Sequence, residues 1–184
     1  MWKHYFGPQA IIYGVDIDPR CAELAEENIH ILIANQDDRS SLQNICRSTP
    51  KVDIIVDDGG HTMSQQKNTF EELWDHLNEG GIYLCEDTHT SYFTDMGGGY
   101  REPNSFVEYT KNLIDQLTAW YSRDPRLAVD KYTMKTFGIH YYNSIVLLEK
   151  RAIPIPQERM KGTPSFALSP ADQSSYNASF VSGR

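Results

Sequence analysis

Two adjacent carboxylates, two glycines and a histidine stand together in VDDGGH, residues 56–61, at the end of an apolar run. A second apolar run ends in CEDTHT, residues 85–90, again with paired acids, Glu86 and Asp87. Neighbouring parallel strands lie about 4.8 Å apart, so acids closing two adjacent strands converge. Left unpaired they repel each other. A hard divalent cation removes that conflict, and carboxylate oxygens with water suit Mg²⁺. Asp58, Glu86 and Asp87 are therefore candidate metal ligands. The plainer alternative has Asp57 or Asp58 capping the next helix while Glu86 and Asp87 are merely solvated. His61, at the start of that helix, is placed to take a proton from a hydroxyl held by such an ion. A lone histidine at a helix start is more often structural; the company of three acids makes this one a candidate base. His89 and Tyr92 follow the second acid pair closely enough to line the same pocket, whereas His140 sits inside a later strand and reads as a packing residue.

Two further polar groups close apolar runs upstream. Asp16 ends AIIYGVD (10–16), and an acid in that place accepts hydrogen bonds from both hydroxyls of a ribose in nucleoside-binding sheets. Helix capping is its alternative duty, for which Asp18 is better placed. In ANQDDR (34–39), Gln36 and Asp38 offer an amide and a carboxylate to the exocyclic amine of a purine, or are ordinary polar loop residues.

These side chains need a frame. After AIIYGVD comes IDPRCAELAEENI (17–29), with Asp18 as N-cap, Pro19 as first helical residue and Cys21, Leu24 and Ala25 at helical spacing. HILIAN (30–35) reads as a strand, DDRSSLQNIC (37–46) as a short helix and VDIIVDD (52–58) as a third strand. A longer helix is predicted over roughly 62–79, with Phe70, Leu73, Trp74 and Leu77 on one face and Gly80–Gly81 stopping it; IYLCED (82–87) is the fourth strand. Strand, helix, strand, helix at this spacing means parallel strands joined by right-handed crossovers. A loop rich in glycine and tyrosine fills 88–104, and a helix follows at about 105–122 with Phe106, Tyr109, Leu113, Leu117 and Trp120 in register. KYTMKTFGIHYY (131–142) and SIVLLEK (144–150) are two strands so close together that they form an antiparallel hairpin. The expectation is an α/β fold: a doubly wound, Rossmann-like sheet, mostly parallel, with a C-terminal antiparallel hairpin. Ligands of such sheets bind beyond the carboxyl ends of the strands, where all these acids lie.

The remaining composition sets limits. Of 184 residues, 40% are hydrophobic and 23% charged, as in ordinary globular proteins. A net charge of -8 argues against a nucleic-acid partner, because phosphate binding needs a basic face. No apolar stretch reaches the roughly 18 residues of a membrane helix, and no signal-peptide pattern is seen. Three cysteines in no close pairs are expected as reduced, mostly buried thiols of a cytoplasmic protein, not as a zinc site. Residues 1–150 read as one domain; 151–184, rich in proline, serine and glutamine, read as a flexible or partly docked tail. Whether the protein forms a homo-oligomer stays open.

Taken together these motifs resemble the class I S-adenosylmethionine-dependent methyltransferases. More narrowly they are similar to the metal-dependent sugar O-methyltransferases of macrolide antibiotic biosynthesis, the mycinamicin type, and to the related group named after cephalosporin hydroxylase. The resemblance covers roughly residues 1–150 and rests on IYGVDIDP, ANQDDR, VDDGGH, CEDTHTSY and IHYYNSIVLLEK. It implies S-adenosylmethionine and Mg²⁺ as cofactors and a small-molecule hydroxyl as acceptor. It assigns the cofactor ribose to Asp16, the adenine side to Gln36 and Asp38, and Asp57 to the cofactor as well. The metal ligands would be Asp58, Glu86 and Asp87, the catalytic base His61, and His89 and Tyr92 would face the acceptor. One departure stands out. The family's first strand and glycine-rich loop should precede Asp16 by about 20 residues; here 15 residues precede it, with no G-x-G. That strand is central, so its loss would open a gap in the sheet. A fragment of a longer protein, or a truncated, non-catalytic remnant without a working cofactor site, is the alternative expectation.

Overall fold

Each apolar run becomes a strand: β1 (Ile12–Asp16), β2 (Ile29–Ile33), β3 (Val52–Asp57), β4 (Leu77–Cys85), β5 (Thr136–Tyr142) and β6 (Ile145–Lys150). The structure is a computed structural model that describes residues 1–157, of which Met1–Pro154 form one compact unit. The tail expected over 151–184 lies, from residue 158 onward, outside the described residues.

The strands form two sheets, β1–β2 and β3–β4–β6–β5. β1 and β2 pair in parallel, as do β3 and β4, while β6 runs antiparallel to both β4 and β5. The closing hairpin therefore packs its second strand, not its first, against β4. β3 and β1 each keep an unpaired edge among the described residues. Ile54 and Val56 on β3 are 43% and 37% exposed, although a parallel strand of this composition is normally covered. The gap expected from the sequence is thus present as two separate sheets. They are tied together instead by helix α2 (Arg39–Ser48) against α3 (Met63–Leu73), where Arg39 pairs with Glu71 and Glu72.

Local chemistry explains the helices. Asp38 caps α2 by accepting from Ser40 N–H, and Leu42 and Ile45 on one face bury against Ala34. A capping box of Thr62 and Gln65 starts α3. Its inner face carries Met63 and Phe70 into a core shared with Trp74, Tyr83, Phe106 and Leu148. Ser105 caps α4 (Phe106–Gln116), whose Phe106 and Leu113 join that core.

Three boundaries differ from expectation. Asp18 does cap and Pro19 does open the segment after β1, but only a 3₁₀ turn, Pro19–Leu24, forms there. The helix predicted over 62–79 ends at Leu73, a 3₁₀ turn covers Trp74–His76, and β4 already begins at Leu77. Gly80 and Gly81 consequently lie within a strand; a Cβ on Gly81 would meet the Asp53 carbonyl at 2.8 Å. Just beyond the helix, Lys150 of β6 fixes the turn into β4: its buried Nζ donates to the carbonyls of Trp74 (2.8 Å) and Leu77 (2.6 Å). Finally, Lys131–Lys135, expected as strand, is a short helix α5 capped by Asp130.

Candidate active site

The carboxyl ends of β3 and β4 carry the two acid pairs, and the alternation of the strands separates the members of each pair. Asp57 is the inward member. It is 5% exposed, and its oxygens accept from Gln36 Nε2 (2.7 Å) and the Tyr83 hydroxyl (2.8 Å). Burial pushes its carboxyl up to about 6, against the opposing effect of the Tyr83 and Gln36 hydrogen bonds. Asp58, the outward member, is exposed.

Beyond Asp58 the chain turns through Gly59 and Gly60. A Cβ on Gly59 would strike the side-chain oxygen of Gln36, and one on Gly60 that of Gln65, so a larger residue would push these amides from their places. That turn delivers His61 to the start of α3. From β4, Asp87 reaches the same place: its carboxylate lies 3.6 Å from His61 Nε2 and 3.8 Å from His89 Nδ1. Asp58, His61 and Asp87 each offer a ligand atom, all within 4.8 Å of one another. Glu86 is next to this trio in the chain but outside it. Among the described residues none of Asp58, Glu86 or Asp87 is paired with a lysine or arginine; Asp87 has only the two imidazoles beside it. Two carboxylates facing each other with no basic partner, beside a nitrogen donor, suit a divalent cation.

Asp87 adopts φ 51°, ψ 32°, the left-handed region that few non-glycine residues occupy. Its neighbourhood is anchored: Gln66 Nε2 donates to the Glu86 carbonyl at 3.3 Å, and Thr88 N–H donates to the Ser144 carbonyl at 3.1 Å. The Ser144 hydroxyl also bonds His89 Nδ1 at 2.6 Å. Tyr92, 50% exposed, stands at the end of the 3₁₀ turn Thr88–Tyr92.

The cofactor-side residues are placed differently. Asp16 is exposed at the end of β1, one oxygen accepting from Asp18 N–H. Gln36 is turned inward, its Nε2 shared between Asp57 and Thr69 and its Oε1 accepting from Gly60 N–H. Asp38 serves as the cap of α2. His140 bonds Glu149 across the hairpin, away from this cluster. Neither Gln66 nor Ser144 was singled out from the sequence; the available signal was a glutamine in the apolar register of α3.

A methyltransferase-domain family model matches residues 7–88. The 8-demethyl-8-α-L-rhamnosyl tetracenomycin-C 2'-O-methyltransferase of Streptomyces olivaceus is 35% identical over 156 residues, 83% of this chain and 40% of that protein. The L-olivosyl-oleandolide 3-O-methyltransferase of Streptomyces antibioticus is 34% identical over 158 residues, 83% and 40% of the two chains. Among solved structures, the MycE methyltransferase of the mycinamycin biosynthetic pathway, in complex with Mg, SAH and mycinamycin VI, superimposes with a TM-score of 0.76. It is 28% identical, with 85% of this chain and 42% of that one covered. Residues 7–88 are thus those of a methyltransferase domain. The chain spans about two fifths of the length of the curated relatives it matches. In this chain the acid-lined tips of β3 and β4 stand at the carboxyl ends of the sheet, the ligand side of the fold.

Proposed function

We propose that this chain carries the acceptor-activating part of a Mg²⁺-dependent O-methyltransferase, which moves a methyl group from S-adenosylmethionine to a hydroxyl of a sugar or natural product. The convergence of Asp58, His61 and Asp87 with no basic partner carries the proposal. The relatives support it by their chemistry, since they are O-methyltransferases whose names specify sugar-bearing substrates, and MycE has been solved with Mg and SAH.

Asp58 and Asp87, with Glu86 adjacent, would hold the cation; Asp16 would hold the cofactor ribose. Mg²⁺ held there supplies Lewis acidity, lowering the pKa of an acceptor hydroxyl. S-adenosylmethionine supplies the electrophilic methyl group. His61 removes the hydroxyl proton as general base, a role worth typically 10²–10⁴-fold. His89, fixed by Ser144, and the half-exposed Tyr92 orient the acceptor beside it. Positioning of the oxygen for in-line attack on the methyl carbon accounts for much of the remaining rate. Among the described residues no helix is long and apolar enough to cross a membrane. Three free thiols, of which only Cys85 is fully buried, support a reducing setting such as the cytoplasm.

His61→Ala decides the role of the imidazole. Methyl transfer to a glycosylated acceptor should fall at least 10²-fold, while calorimetric Mg²⁺ binding stays nearly intact. A variant that keeps its activity removes His61 as the base, and one that loses the metal makes it a ligand instead. Calorimetry with S-adenosylmethionine tests the remnant alternative: a remnant shows no micromolar binding.

A further inference from the structure

We infer that Gln66 is a positioning residue that, with the Ser144 carbonyl, holds Asp87 in its left-handed conformation and so aims its carboxylate at Asp58 and His61. The inference rests on the reading that these acids hold a divalent cation.

The two torsions of Asp87 are set by the planes of the peptide groups on either side of it, and both planes are held from outside. The preceding peptide is held at the Glu86 carbonyl, which accepts from Gln66 Nε2 at 3.3 Å. The following peptide is held twice. Its carbonyl, that of Asp87, accepts from Thr90 N–H (3.1 Å) and Thr90 Oγ1 (2.9 Å). Its N–H, that of Thr88, donates to the Ser144 carbonyl at 3.1 Å. With both planes fixed by groups on α3 and on the β5–β6 hairpin, an otherwise unfavourable backbone conformation persists. Were Asp87 to relax to a right-handed or extended form, its carboxylate would leave His61, which now lies 3.6 Å away.

Gln66 itself is a poor choice for packing. It is 1% exposed in the apolar face of α3, and its Oε1 is buried without a hydrogen-bond partner. An unpaired buried acceptor is unfavourable, so a side chain kept only to fill that space would be apolar. The donor half of the amide, directed at the Glu86 carbonyl, is the reason for a glutamine there.

Gln66→Met separates the two roles, because it preserves volume while removing both the donor and the orphaned oxygen. Expected is a melting temperature equal to or above wild type, together with Mg²⁺ binding weakened ten- to hundredfold by calorimetry at a temperature where both proteins are folded; outer-shell partners of metal ligands act on this scale. Unchanged Mg²⁺ affinity in the folded variant overturns the inference. Should the methionine variant not fold, Gln66→Glu, which loses the donor when ionised, is read by the same criterion. Asp58→Asn is the reference: if wild type binds no Mg²⁺, or if that binding ignores Asp58→Asn, the metal reading fails and the positioning role falls with it. Binding that needs Asp58 but ignores Gln66 sinks only the positioning role.

Discussion

Asp57 and Asp58 are neighbours in the chain and opposites in environment. One is buried between Tyr83 and Gln36; the other faces solvent beside His61 and Asp87. The sequence showed two acids at a strand tip but not which would point inward, because both members of the pair suit either face. Strand alternation settles it only once the core side is known. The same fact ties the half-buried Gln36 to Asp57 through its Nε2. Substitution should expose the difference. Asp57→Ala leaves the buried Tyr83 hydroxyl unpaired and takes from Gln36 Nε2 one of its two acceptors, Thr69 remaining, and should cost about 2–3 kcal/mol of stability, read as a lower urea midpoint. Asp58→Asn, at an exposed position, should stay within about 0.5 kcal/mol of wild type yet abolish Mg²⁺ binding. Equal stability losses in the two variants would contradict this division of labour.

Among the secondary-structure elements, helix starts were legible and helix ends were not. The predicted starts at 37, 62 and 105 lie within two residues of those formed, and the structure shows Asp38, Thr62 and Ser105 as the caps, side chains that satisfy nearby N–H groups. The turn that follows α3 is held by Lys150, 76 positions from Trp74, which donates to the carbonyls of Trp74 and Leu77. Burial holds the Lys150 ammonium below its usual range, while the two carbonyls and the face of Trp74, 5.7 Å away, receive it. Lys150→Met should therefore lower stability by roughly 2–3 kcal/mol, the scale of hydrogen bonds to a charged group. The check is a urea titration in which the midpoint falls and the slope does not. A neutral result would mean that the carbonyls find other partners.

At the scale of the whole molecule, the division into two sheets is the feature with most consequence. β4 is flanked by β3 and β6, so its amides bond on both sides, whereas β3 and β1 are each paired along one edge. Successive N–H groups of a strand point to opposite edges. Hydrogen exchange should therefore find Ile82–Cys85 of β4, paired on both sides, protected throughout and β1 and β3 protected at alternate residues only. Uniform protection along β3 would show that its open edge is covered. The exposed Ile54 and Val56 mark that edge as one suited to a further apolar strand.

By itself the sequence determined the order of strands and main helices, the antiparallel close and the acids at the strand tips. All of these follow from local periodicity and from side chains acting within a few residues of themselves. Tertiary structure alone decided which acid of each pair meets the histidine, where α3 stops, and that Asp87 is held in a left-handed turn by Gln66 and Ser144. Those outcomes depend on groups far apart in the chain, whose contact is created by packing and written in no local pattern.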